Sequence, residues 1–246
     1  MPGAHNRTRH SAFKDPPRET MLDFLSEYDV LGAFWGTVQL TFYSAVGSLI
    51  WGTVLAAMRV APAPIMRAFG TGYVNIVRNI PLTVIIIGCS LGLSDTLGLV
   101  LAKQGSPTSL ADNGFWLAVL GLVAYTATFV CESLRSGINT VPVGQAEASR
   151  ALGLGFTQTL TIVVLPQAFR SVVAPLASVL IALTKNTTVA SAIGVAEASL
   201  LMAEMVENES DALLLVFATF ALGFVALTLP TGLLLGALAK KVAVKR

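Results

Sequence analysis

Residues 212–239 read ALLLVFATFALGFVALTLPTGLLLGALA, a run without a charged side chain. It exceeds the roughly 20 apolar residues that a helix needs to cross a bilayer. No barrel-type alternation of apolar and polar residues runs through it, so its backbone polar groups are predicted to be satisfied within a helix. Four more apolar runs, at 31–58, 66–93, 114–134 and 171–196, bring the set to five. The predicted fold class is therefore all-α: a polytopic membrane protein with five transmembrane helices. Gly47, Gly52, Gly223, Gly232 and Gly236 lie in these runs, where small residues let helices approach closely in lipid.

Composition supports the same class. Of 246 residues, 54% are hydrophobic and 12% charged, and the mean hydropathy is +0.72. Soluble domains carry about 25% charged residues, so this chain has too little charge to coat a soluble globule. The same composition excludes a disordered chain, a collagen, a coiled coil and a disulfide scaffold. Cys89 and Cys131 fall inside apolar runs and read as small buried hydrophobes. Neither has partners at metal-ligand spacing. His5 and His10 both lie in the polar N-terminal tail, so no metal site is expected in the core.

Charge is segregated. Arg59 and Arg67 follow the first run, Arg135, Arg150 and Arg170 follow the third, and Lys240, Lys241, Lys245 and Arg246 follow the fifth. The opposite loops carry Lys103 beside Asp95, Asp112, Glu204, Glu207, Glu209 and Asp211. The positive-inside rule puts the C-terminus in the cytoplasm and the N-terminus outside. Arg7, Arg9, Lys14 and Arg18 oppose that orientation; a translation start at Met21 would remove the conflict. Pro16-Pro17 and the lack of apolar periodicity predict disorder over at least residues 1–20 of a tail spanning 1–29. The transmembrane domain is expected at 30–240, followed by a cytoplasmic tail at 241–246.

Between the third and fourth runs lies a segment at 136–170, too long for a plain connection and of a length usually functional. Ala146, Ala148 and Ala151 favour helix, and Gly153 and Gly155 allow a turn. A second helical stretch follows at 156–164, and Pro166 ends it or opens the next span. The prediction is a cytoplasmic helical hairpin between transmembrane helices 3 and 4. Two readings stand: a hairpin that only packs under the bundle, or a docking surface in which Glu147 offers a specific polar contact.

Gln145-Ala146-Glu147-Ala148-Ser149, Gly153 and Leu165-Pro166-Gln167 resemble the EAA motif of ABC importer permeases. Tyr125, residues 132–137 and 141–145, Ala168, Lys185-Asn186-Thr187-Thr188 and Arg78-Asn79-Ile80-Pro81-Leu82 are similar to the polar amino-acid branch of that family. The likeness runs from about Met21 to the C-terminus and is strongest to the first permease of bacterial glutamate importers. Two positions depart: Ser149 replaces the third motif alanine, and Ile85 stands where many relatives have glutamine.

The resemblance implies a permease subunit of the bacterial inner membrane that moves a polar amino acid, glutamate, inward by alternating access. It implies a second permease, commonly as a heterodimer, a cytoplasmic ATP-binding subunit dimer, and an extracytoplasmic amino-acid-binding protein. Gly144, Gln145, Ala146, Glu147, Ala148 and Gly153 would form the surface that couples to the ATPase. ATP would be used by that partner, with no cofactor on this chain, no catalytic residue and no nucleic-acid partner. Consistently, no G-x-x-x-x-G-K-[ST] loop occurs in the sequence.

Lys185 lies within the fourth run, where an ionised lysine costs about 2.5–3.5 kcal/mol on insertion scales. It either serves as a packing device or lines the substrate path with Asn186, Thr187 and Thr188. The polar run is expected to split the span into 171–184 and 189–196. Arg78 reads as an interface anchor or as a second path-facing charge. Glu132 and Arg135 are spaced to pair on one helix face, and Glu197 reads as interfacial. The acidic stretch 204–211 reads as a solvated exterior loop, or as a contact for the binding protein. The alternative function is a self-contained secondary transporter or channel, against which the lack of an inverted repeat counts. An intramembrane enzyme lacks a core histidine, a Ser/His pair or a carboxylate cluster to run it.

Overall fold

Nine α-helical segments, some extended by 3-10 or π-helical turns, follow one another among the described residues, with no strand. The structure is a computed structural model, and it describes residues 27–102, 105 and 108–242. The expected disordered tail, the Met21 start, Lys103 and the final residues 243–246 lie outside the described residues. The chain divides into units 1–30 and 31–246; the first falls almost wholly outside the description, and the second holds the bundle.

Helix α1 is Val30–Val60. Helix α2, Pro64–Asn79, is followed by α3, Leu82–Ile87, which widens into π-helical turns at Gly88–Thr96. Helix α4 is Ser109–Asn139. The hairpin contains α5, Val143–Ala151, and the short α6, Phe156–Gln158, with π-helical turns at Thr159–Val164. Helix α7, Leu165–Asn186, winds into a 3-10 helix at Thr187–Ile193. Helix α8 is Ala198–Asn208, and α9 is Leu213–Val242.

Among the described residues, four helical stretches are long and apolar enough to span a membrane: Val30–Val60, Ser109–Asn139, Arg170–Ile193 and Ser210–Ala237. A fifth span is available only as the bent pair Pro64–Asn79 and Leu82–Thr96, which turns by 106°. The second predicted span is thus two helices and not one rod. Proline is the cause: Pro81 has no N–H to donate, and it forces the preceding Ile80 out of the helical region. Ile80 is extended, at φ −87° and ψ 132°.

The predicted split of the fourth span is corrected. The helix continues through 185–188 by tightening. Thr187 Oγ1 donates to Thr184 O at 2.8 Å, Thr188 Oγ1 to Lys185 O at 2.8 Å, and Ser191 Oγ to Thr188 O at 2.7 Å. These side-chain bonds back onto the helix accompany the 3-10 turns at Thr187–Ile193, while Thr128 makes the same three-residue reach inside an α-helix.

Helix α4 is the most buried of the spans. Leu40, Leu82, Ile86, Leu122, Leu183 and Ala190 meet in one core cluster, drawing α1, α3, α4, α7 and the 3-10 turns together. Glycines permit the close contacts: a Cβ at Gly52 would come within 2.6 Å of Val130, and one at Gly223 would strike the Phe34 ring. Phe34 also packs on Phe220 and Phe224, with ring centroids 5.7 and 5.5 Å away. Gly236 faces open space, so only the upper glycines of α9 serve packing. Leu214, Phe217, Leu222 and Leu233 of α9 remain exposed, a surface that suits lipid.

Two charge expectations are corrected. Glu132 pairs with Arg59 of α1, across helices, and not with Arg135 along its own helix. Arg59 is largely buried, so a paired carboxylate is what makes its burial tolerable. Glu197 is fully buried and not interfacial. It caps α8, accepting the Leu200 N–H at 3.1 Å through Oε1, and its Oε2 meets Thr37 Oγ1 at 3.4 Å. Burial pushes its carboxyl above the ordinary glutamate range, offset in part by the Ser199 and Leu200 amides and the Thr37 hydroxyl.

Candidate functional site

The hairpin between α4 and α7 has two unequal arms. Helix α5 ends in a Schellman motif: Leu154 N donates to Ser149 O at 3.1 Å, and Gly153 N to Arg150 O at 2.9 Å. Gly153 occupies the left-handed region that the motif requires, at φ +87°. A Cβ there would touch nothing within 4 Å, so the demand for glycine comes from the backbone and not from space. The second arm is not a separate helix. From Phe156 it runs through the π-helical turns directly into α7, and Pro166, which has no N–H to donate, falls just after those wider turns.

Side chains tie the arms together. Ser149 is buried, and its Oγ is hydrogen-bonded to Thr159 Oγ1 at 3.0 Å and to Ala146 O at 2.8 Å. Gln167 Nε2 donates to Gln145 Oε1 at 2.8 Å and to Val163 O at 2.9 Å. Gly144, Glu147 and Ala148 stay exposed, and Ala146 is half-buried. Beside them protrude Val143, 72% exposed, and Leu152, 84% exposed, with Phe156 also open. All six predicted coupling residues therefore lie on one element and its turn, next to an apolar rim. Sequence reasoning missed that rim; large apolar residues flanking turn glycines on an otherwise polar segment were the available signal.

The predicted pathway residues divide. Lys185 is exposed on α7, and Asn186 and Thr188 are half-buried. Thr187 is fully buried and bonded to its own helix, so its side chain faces the core. Lys185 makes no hydrogen bond or ion pair among the described residues. Arg78 is exposed in the last turn of α2, before the bend. It does not join the run directly, but the helix it leads into does: α3 packs on the 3-10 turns, with Leu82, Ile86 and Ala190 in one cluster. No cluster of His, Cys, Asp or Glu among the described residues could hold a metal ion.

A bundle of membrane-length apolar helices with a polar hairpin at one end is the architecture of a multi-pass integral membrane protein. Residues 33–244 match the family of binding-protein-dependent transport system inner membrane components, and the chain belongs to that family. It is 60% identical over 217 residues to the glutamate transport system permease protein GluC of Corynebacterium efficiens, covering 88% of this chain and 95% of the relative. It is 31% identical over 212 residues to a probable glutamine ABC transporter permease protein of Bacillus subtilis, covering 85% and 90%. A crystal structure of an amino acid ABC transporter with histidines has the same fold, with TM-score 0.76, 22% identity, and coverage of 90% of this chain and 98% of that one.

Proposed function

We propose that this chain is the membrane-spanning permease subunit of an ATP-driven importer that carries glutamate into the cell. The observation that carries the reading is the 60% identity over nearly the whole chain to a permease whose name states glutamate transport. The exposed hairpin supports it physically. Gly144, Gln145, Ala146, Glu147, Ala148 and Gly153, rimmed by Val143 and Leu152, form the face that receives the ATP-binding subunit dimer. ATP is bound and hydrolysed there, on the partner, and this chain needs no cofactor of its own. An amino-acid-binding protein docks at the opposite end. The C-terminus is cytoplasmic, and residues 30–240 form the transmembrane domain.

The translocation path runs between this chain and a second, related permease. Lys185 supports this reading. An ammonium on the outer surface of a span, without a partner in its own chain, is costly against lipid and is accommodated in a water-filled path. Asn186 and Thr188 lie beside it, Thr187 backs them from the core, and Arg78 stands nearer the bend. In liposomes holding both permeases, the ATPase and the binding protein, glutamate uptake should require ATP. Liposomes holding this chain alone should show neither ATP hydrolysis nor ATP-dependent uptake. Hydrolysis by the chain alone would overturn the assignment.

A further inference from the structure

At the end of the bundle opposite the hairpin, a cavity of about 340 Å³ is lined by Gln39, Tyr43, Asp112, Phe115, Trp116 and Ala196. Its aromatic wall is a mutual cluster. The Tyr43 and Trp116 centroids are 5.1 Å apart, Phe115 and Trp116 5.4 Å, and Tyr43 and Phe115 6.1 Å. Asp112 supplies a carboxylate; its Oδ2 accepts from Thr108 Oγ1 at 2.8 Å, and Oδ1 has no hydrogen-bond partner among the described residues. Gln39 adds an amide carbonyl.

The depth of the cavity follows from helix register. Sixteen residues separate Tyr43 from Arg59 on α1, and sixteen separate Trp116 from Glu132 on α4. Tyr43 stacks near Trp116, and Arg59 pairs with Glu132. The two helices thus run parallel and in register over about 24 Å, at about 1.5 Å per residue. That span approaches the roughly 30 Å of bilayer hydrocarbon. The ion pair and the aromatic cavity therefore lie near opposite edges of the apolar layer, and the cavity faces the headgroup zone.

Aromatic residues are common at that depth as a general belt. Here they do something narrower, because three rings converge on one hollow with a carboxylate on its rim. Ring faces and a carboxylate attract an organic cation and repel an anion. A single carboxylate does not meet the several oxygen ligands that a divalent metal demands. Tyr43 and Trp116 remain 41% and 38% exposed, so the hollow is open to its surroundings. We infer that this cavity binds an organic ammonium group, and that its occupant is the headgroup of an ammonium-bearing phospholipid. An open site of this kind holds a soluble ammonium weakly, but a headgroup is presented to it at high effective concentration.

The test uses the full chain in phosphatidylglycerol nanodiscs, with Trp35→Phe and Trp51→Phe leaving Trp116 as the one tryptophan of three. Tetramethylammonium chloride should give a saturable fluorescence change that sodium chloride at equal ionic strength does not. Asp112→Asn and Tyr43→Leu should each weaken the midpoint about fivefold or more, in keeping with the loss of a cation–π or ionic contact. In equimolar phosphatidylethanolamine and phosphatidylglycerol discs, native mass spectrometry should show the ethanolamine lipid retained in preference, and Asp112→Asn should abolish that preference. No saturation, or an unchanged midpoint in both variants, overturns the ammonium site. Saturation by the soluble probe with equal retention of the two lipids overturns the lipid occupant and assigns the hollow to a soluble ammonium compound.

Discussion

The Ser149 hydroxyl is hydrogen-bonded to the Thr159 hydroxyl at 3.0 Å, and both residues are buried. The bond joins the last turns of α5 to the arm that becomes α7. The bond therefore links α5 to the fourth span directly, in addition to the turn at Gly153. Gln145 and Gln167 repeat the connection at the open end of the hairpin.

The first prediction tests that bond. Ser149→Ala leaves the Thr159 hydroxyl buried without its partner, a cost of about 1–3 kcal/mol in general. Hydrogen exchange of residues 143–160 should accelerate in Ser149→Ala. Thr159→Val added to Ser149→Ala should restore much of the protection, since both polar groups are then gone. Additive losses in the double variant would show that the two residues act separately.

The second prediction concerns Gly153. Left-handed backbone costs a residue with a Cβ roughly 1–2 kcal/mol, while asparagine and aspartate visit it more readily. Gly153→Asn should keep the turn, and Gly153→Ala should loosen it. Gly153→Asp should keep the turn in part but place a charge on the docking face. Transport in Gly153→Asp should collapse at near-normal membrane levels, with Gly153→Asn retaining most activity. Unchanged uptake by Gly153→Asp would remove the turn from the coupling surface.

Much of this was legible in the chain. Unbroken apolar runs announced the spans, because lipid permits few backbone solutions. Gly153 and Gly155 announced the hairpin turn. Three features were not legible; two depend on a partner distant in sequence, and the third on local hydroxyl bonds that a polar run does not announce. Glu132 has Arg135 three residues away, but the bundle brings Arg59 to it. Glu197 ends an apolar run and looks interfacial, but α1 closes over it through Thr37. The polar run at 185–188 looks like a break, but its hydroxyls reach back three residues and hold the helix together.

The third prediction follows from Glu197. Its carboxyl is raised by burial, so the folded protein binds a proton that the unfolded chain has already released. Stability then falls as pH rises from the unfolded value toward the folded one, and the loss is complete above the folded value. Glu197→Gln keeps an acceptor for the Leu200 amide and offers an N–H toward Thr37, as the protonated acid does. Thermal midpoints measured between about pH 4 and 8 should therefore slope less in Glu197→Gln, and the variant should match or exceed the parent at neutral pH. A steeper slope in the variant would show that the ionised form is the favoured one.

The last prediction concerns Lys185. The residue lies fifteen positions beyond Arg170 on α7, about 22 Å at 1.5 Å per residue. That places it deep in the apolar layer and toward the end away from the hairpin. Its neighbours have already spent their hydroxyls: Thr187 and Thr188 donate to carbonyls of their own helix. The ammonium of Lys185 and the side-chain amide of Asn186 are thus the free donors of the run, and only the ammonium carries charge toward an anionic substrate. Lys185→Met keeps an unbranched stem, removes the charge and eases insertion into lipid. Lys185→Arg keeps the charge with a planar, differently directed set of donors. If the ammonium serves the path, the methionine variant should assemble normally and lose glutamate uptake, and the arginine variant should keep part of it. If Lys185 acts only in packing, the methionine variant should either be tolerated or lower the yield of assembled complex. Uptake normalised to assembled complex separates these outcomes, and normal uptake by Lys185→Met would take the residue out of the path.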